Sequence, residues 1–164
     1  MRKTRILLVV GLTGFTDLLV MAVPNLLRTW NFDSDKPGEI ASGFKSVTGD
    51  WKIVVDETAP SKPQVLAQLA KNDEQTFNVT LLNEPAAKNV DLRVKFRVLG
   101  GKIDQGGGVI WRAKDAKNYY LYRFNPLERN IRVYKGIDGV RTIIHSVEDV
   151  EEAPGWQTMR VVSN

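Results

Sequence analysis

The chain has 164 residues, with 23 Lys+Arg against 19 Asp+Glu, one His and no Cys. That length holds one domain with a real core and not two ordinary ones. Without cysteine there is no disulfide framework, thiolate-bound zinc or Cys nucleophile, and a single His excludes His-rich metal sites. The 43% hydrophobic and 26% charged fractions describe a folded protein rather than a disordered one.

Arg2, Lys3 and Arg5 open the chain, and a mostly apolar run follows from Ile6 to Met21. A basic start, an apolar stretch and the triplet Val20-Met21-Ala22 fit a secretory signal peptide cut after residue 22, which predicts a secreted or periplasmic protein. Asp17 interrupts the run, and a carboxylate there costs about 2.5–3.5 kcal/mol on insertion scales. An uncut segment would instead be a membrane anchor of about 20 residues, the one membrane contact the sequence suggests, and a buried N-terminal helix is the third reading. No Cys follows, so a lipoprotein anchor is excluded. Without residues 1–22, 20 Lys+Arg face 18 Asp+Glu, a net charge of +2 instead of +4.

From Trp30 onward the pattern has period two. Strands are predicted at Trp51–Val55, Val65–Leu69, Thr76–Leu82 and Leu92–Val98, where Leu92, Val94, Phe96 and Val98 alternate with Arg93, Lys95 and Arg97. They continue at Gly108–Ala113, Tyr119–Asn125, Asn130–Lys135, Val140–Ser146 and Thr158–Val162. Turn residues separate them: Thr48-Gly49-Asp50, Leu99-Gly100-Gly101, Asn125-Pro126, Gly136-Ile137-Asp138-Gly139 and Pro154-Gly155. Short strands spaced this way indicate an all-β antiparallel sandwich or jelly roll at residues 23–164. The Ala, Leu and Gln of Val65–Lys71 also allow a short helix, and residues 56–63 read as an exposed loop.

The densest polar and aromatic stretch runs from Asp104 through Trp111 and Arg112 to Asn125. On a strand, Tyr120, Tyr122 and Phe124 share one face, expected to be core, and Tyr119, Leu121, Arg123 and Asn125 share the other. A phenol, a guanidinium and an amide in one row suit a sugar, whose hydroxyls take planar polar partners while its C–H face stacks on a ring. The competing reading pairs Arg123 with a carboxylate on a solvated face. Gly106-Gly107-Gly108 is not a phosphate loop, because no Gly-Lys-Ser/Thr and no helix follow; it reads as a bulge or a tight start to a strand. His145 has no Gly-x-Ser-x-Gly partner and reads as a structural or surface residue. The acidic run Glu148–Glu152 lacks EF-hand spacing, so no metal or cofactor is expected, and Ca²⁺ is not indicated by a motif. The Arg93/Lys95/Arg97 stripe is too narrow a positive field for nucleic acid.

The stretch Val90–Phe96 together with Gly101–Arg112, followed by Asn118-Tyr119-Tyr120, Arg123, Asn125 and Val133–Gly139, resembles the 3-keto-disaccharide hydrolase domain family. Phe32-Asp33, Gly49-Asp50-Trp51, Val65–Gln68 and Gly155–Val161 extend the resemblance over residues 30–164. It implies a bacterial, secreted, concanavalin A-like jelly roll that binds or cleaves carbohydrate or a glycoside. Members of that family continue beyond the Trp-bearing strand, so the resemblance implies that the last strands of the sandwich are missing after Asn164.

Related glucanases carry Glu-x-Asp-x-x-Glu, which this chain lacks, so a two-carboxylate mechanism is not expected. A ketone acidifies its neighbouring C–H, so one base and an oxyanion stabiliser would suffice for a keto-glycoside. The sequence does not identify the base: Asp104 or an acid in the missing C-terminal part is the candidate, with Arg112 or Arg123 as the stabiliser and Trp111, Arg112, Tyr119, Arg123 and Asn125 as the substrate-binding set. The alternatives are a non-catalytic carbohydrate-binding or cell-surface module, or a non-functional fragment.

Overall fold

A computed structural model describes residues 27–61, 63–73, 75–84 and 86–164. The expected signal, anchor or helix of residues 1–22 lies outside them. The described residues form ten strands: β1 (Phe44–Thr48), β2 (Trp51–Val55), β3 (Gln64–Gln68), β4 (Val79–Leu82), β5 (Val90–Phe96), β6 (Gly107–Asp115), β7 (Asn118–Asn125), β8 (Asn130–Ile137), β9 (Val140–Val147) and β10 (Gln157–Ser163). Every pairing is antiparallel, and no described residue is helical. The described residues are therefore all-β, in the manner of a β-sandwich.

β6, β7, β8 and β9 form a meander in that order, while β1–β4, β2–β3 and β5–β10 are separate pairs. The β8–β9 turn shows why local sequence sets the register. Asp138 and Gly139 both have positive φ, 50° and 85°, as a two-residue type I′ turn requires. The Asn118 side-chain oxygen accepts from the Asp138 N–H, and the Lys117 carbonyl accepts from the Gly139 N–H, which ties this turn to the β6–β7 turn.

Each face of the meander is covered differently. On one face Tyr119, Leu121 and Tyr134 form a buried cluster with Phe77 and Ile110 packed on it. On the other, Phe96 of β5 and Met159 of β10 approach Tyr122, Phe124 and Ile131 at one end of the sheet. β5 alternates half-buried and exposed along its whole length, as its sequence predicts, because one side of it meets the sheet and the other water. β2 contributes Ile53, which is fully buried.

Several expectations need correction. β1 has no clear sequence signal, since Phe44-Lys45-Ser46-Val47-Thr48 is mostly polar and exposed. Val65–Lys71 does not form the alternative helix, because Gln64–Gln68 pairs with β2. Residues 56–63 are not simply an exposed loop. Ala59 is buried, the Arg97 guanidinium donates to Asp56 at 2.6 Å, and Trp156 Nε1 donates to Thr58 Oγ1. The Gly106–Gly108 run has a steric cause. A Cβ on Gly108 would stand 2.1 Å from the Tyr122 carbonyl oxygen, so β6 and β7 lie together there only without a side chain. The bulge itself falls later, between Trp111 and Asp115.

Replacing Gly108 by Ala is expected to destabilise the domain by about 1–3 kcal/mol, the usual cost of forcing extra volume into a packed site. A urea midpoint unchanged from wild type would contradict the close approach of β6 and β7.

Candidate functional site

β7 is the central element of the site, and its burial is the reverse of the sequence expectation. Tyr119, Leu121, Arg123 and Asn125 are all buried, whereas Tyr120 and Tyr122 are half-buried on the opposite face and Phe124 alone there is fully covered. The face expected to meet a sugar is thus the interior one. The reason is that both faces carry aromatic residues, and the interior supplies the Arg123 Nη2 with acceptors and its guanidinium with nearby carboxylates.

Arg123 is 8% exposed. Its Nη2 donates to Glu128 Oε2 at 2.8 Å and to Asn130 Oδ1 at 3.3 Å. Nη1 lies 3.8 Å from Asp104 Oδ2, and the guanidinium sits 5.7 Å from the Phe77 ring and 5.6 Å from the Tyr134 ring, within cation–π range. Glu128 also accepts from Asn130 Nδ2 and from Arg132 Nη1. Asn125 Nδ2 donates to Asp104, and Asn125 Oδ1 accepts from the Glu128 backbone N–H. Asp104, Arg123 and Asn125 are therefore brought together as expected, but as a network closed on itself. Tyr119 lies in the core cluster, and burial pushes its phenol above the usual range, against the opposing charge of Arg141.

Trp111 and Arg112 lie elsewhere. Trp111 stands opposite Tyr120 on the ladder, and Tyr120 opposite Lys135, so the three occupy one row on the outer face. Trp111 stacks on Tyr120 with centroids 5.6 Å apart and planes at 25°. Tyr120 of this pair, but not Trp111, lines a cleft of about 380 Å³ together with Arg112, Lys114, Asn118, Lys135 and Ile137. Arg112 has φ +50°, in the left-handed region that a bulge accommodates. Its Nε donates to the Lys88 carbonyl and its Nη2 to the Asn164 carbonyl, which hold it at the cleft wall.

Sequence reasoning missed Lys114, Asn118 and Lys135 and placed Tyr120 in the core. The signal was available for one of them. Counting back along both strands from the Asn125–Asn130 pair that closes the β7–β8 turn sets Tyr120 opposite Lys135.

His145 is exposed on β9, opposite Val133. The acidic run lies near two arginines, with Arg132 Nη2 3.6 Å from Glu148 and Arg129 3.9 Å from Glu151. Among the described residues no group of three or more His, Asp or Glu is placed to hold a metal ion.

The chain matches no protein-family model and no curated protein by sequence. The resemblance to 3-keto-disaccharide hydrolases therefore rests on the quoted residues alone. A solved structure, carbohydrate binding module CBM66 from Bacillus subtilis, is similar in fold, with a TM-score of 0.59 at 15% identity. The match covers 74% of this chain and 68% of that one.

Two outcomes follow from the buried network. Arg123→Ala leaves a gap and removes the buried cation shared by Glu128 and Asp104, which keep their Asn130, Arg132 and Asn125 partners. It is expected to cost about 3 kcal/mol, the low end for breaking a buried pair because Glu128 remains partly exposed. Thermal or urea unfolding reads this directly, and a stability within 0.5 kcal/mol of wild type, as ordinary surface substitutions give, would contradict it.

The second concerns acid. Burial pushes the Glu128 carboxyl up, but the Asn130 hydrogen bond and the charges of Arg123 and Arg132 outweigh it and hold the carboxyl below its usual range. Its stabilising contribution is complete above the unfolded value of about 4.3 and fades as pH falls through the lower folded value. Glu128→Gln is expected to show a shallower loss of stability below that pH than wild type. Parallel curves for the two proteins would contradict the assignment.

Proposed function

We propose that residues 23–164 form a non-catalytic carbohydrate-binding module, exported by residues 1–22, that receives its ligand at the cleft beside Trp111 and Tyr120. The observation that carries this reading is Tyr120, stacked on Trp111 and lining the cleft next to polar groups of Arg112, Asn118 and Lys135. An aromatic platform with a few convergent polar groups is what a sugar needs, since it has an apolar C–H face and a rim of hydroxyls. Its volume lies within the ordinary range for small-ligand clefts. The fold likeness to a carbohydrate binding module supports the same reading.

Keto-glycoside hydrolysis has less support. Asp104, the candidate base, has its carboxylate engaged by Asn125 and Arg123 and does not line the cleft. Within the sequence-derived binding set, Trp111 and Arg112 stay in this proposal, while Tyr119, Arg123 and Asn125 act as the interior that supports it.

Affinity electrophoresis against a panel of soluble polysaccharides tests the proposal. Wild type is expected to be retarded by at least one of them. Trp111→Ala, checked for intact folding by near-UV circular dichroism, is expected to bind about tenfold more weakly, equivalent to about 1.4 kcal/mol. Unchanged binding by the folded variant would remove Trp111 from the site, and no retardation of wild type by any glycan would overturn the function.

A further inference from the structure

We infer that the ligand of this cleft is an acidic polysaccharide, one whose carboxylate or sulfate groups are met by Arg112, Lys114 and Lys135. The inference rests on the carbohydrate-binding reading above and adds the charge of the glycan. All three cations line the cleft, and they come from two strands, Arg112 and Lys114 from β6 and Lys135 from β8.

Many of the other described cations are paired with acids, although Lys45, Lys95 and Arg141 are among those that are not. Arg97 pairs with Asp56, Arg123 and Arg132 with Glu128, and Arg160 with Asp91 through two 2.8 Å hydrogen bonds. Among the described residues, Arg112, Lys114 and Lys135 form no ion pair with Asp or Glu. The acid nearest in sequence, Asp115, does not line the cleft. Its carboxylate accepts the Lys117 N–H at 2.7 Å and the Asn118 amide at 3.0 Å, and these bonds hold it below the usual carboxylate range.

Three like charges on one wall repel one another, and among the described residues no Asp or Glu lines the cleft itself to offset that repulsion. An anionic ligand would. Arg112 is anchored to two backbone carbonyls through Nε and Nη2, so its planar head is oriented before a ligand arrives. Such a head suits the two oxygens of a carboxylate or sulfate. Lys114 and Lys135 are exposed, and act as flexible point charges at the rim. Tyr120, flanked by Trp111, supplies the surface for the sugar ring. A neutral glycan would use that surface and leave the three charges unanswered.

The test uses affinity electrophoresis of the full chain in gels containing polygalacturonate, alginate, dextran sulfate, dextran or methyl-esterified pectin. The variant is the double substitution Lys114→Gln and Lys135→Gln, which keeps both stems and removes both charges. Wild type is expected to be retarded by an acidic polymer at least tenfold more strongly than by the two neutral ones. The double variant is expected to lose about tenfold of that affinity, and raised salt to weaken binding by screening. Comparing polygalacturonate and alginate with dextran sulfate distinguishes carboxylate from sulfate as the recognised group.

Equal retardation by neutral and acidic polymers, with the double variant unchanged, would overturn the inference and leave carbohydrate binding standing. Competition by polyacrylate as effective as that of the acidic glycan would also overturn it, because charge without sugar would then suffice. Failure of every polysaccharide to retard wild type would overturn both readings together.

Discussion

A guanidinium removed from water must find hydrogen-bond acceptors and negative charge close by, or its burial costs several kcal/mol. Arg123 finds both inside this sheet. Glu128 comes from the turn that joins β7 to β8 and Asn130 from the start of β8, and Asp104 comes from the segment that leads into β6. Phe77 and Tyr134 close over the charge from the side. One side chain therefore ties three separate stretches of sequence to the centre of the four-stranded meander. Its Nε remains buried without a partner, so the network is not fully satisfied, and removing any acceptor would worsen an existing deficit.

That constraint decides which face of the sheet can meet a ligand. With Arg123, Asn125 and Tyr119 turned inward, the alternate residues of β7 must turn the other way. Tyr120 then lies on the accessible side, where cross-strand pairing brings Trp111 and Lys135 alongside it. The far end of the same face is already covered, because Phe124 is buried where Phe96 and Met159 approach. What stays open is the Tyr120 end, and the bulge after Trp111 adds Arg112 to its wall. The accessible site is thus a consequence of how a buried charge is housed on the opposite face.

Much of the fold was legible in the sequence. The alternation at Leu92, Val94 and Phe96, the Asp138-Gly139 turn and the crowding at Gly108 each have a local physical cause that residue types reveal. β1 was not legible, because its hold on β4 comes from long-range pairing rather than from its own apolar residues. The site was half legible. Alternation puts Arg123 and Asn125 on one face of β7, and the structure places Asp104 beside them. Their exposure was misjudged, because polarity indicates exposure only for a group that lacks partners. Glu128 and Asn130, five and seven residues beyond Arg123, were the partners that sequence proximity could have suggested. Lys114 and Lys135 gave no signal of their own, as exposed lysines on strands are common protection for sheet surfaces.

The central claim is that ligand meets the Trp111–Tyr120 side of the sheet while Arg123 stays inside. Side-chain nitrogen NMR during titration with a bound polysaccharide tests it most directly, by following the Trp111 indole N–H and the Arg123 guanidinium N–H together. The account predicts that the Trp111 signal shifts with ligand and that the Arg123 signal stays in place. A shift at Arg123 and Asn125 with Trp111 unmoved would contradict it.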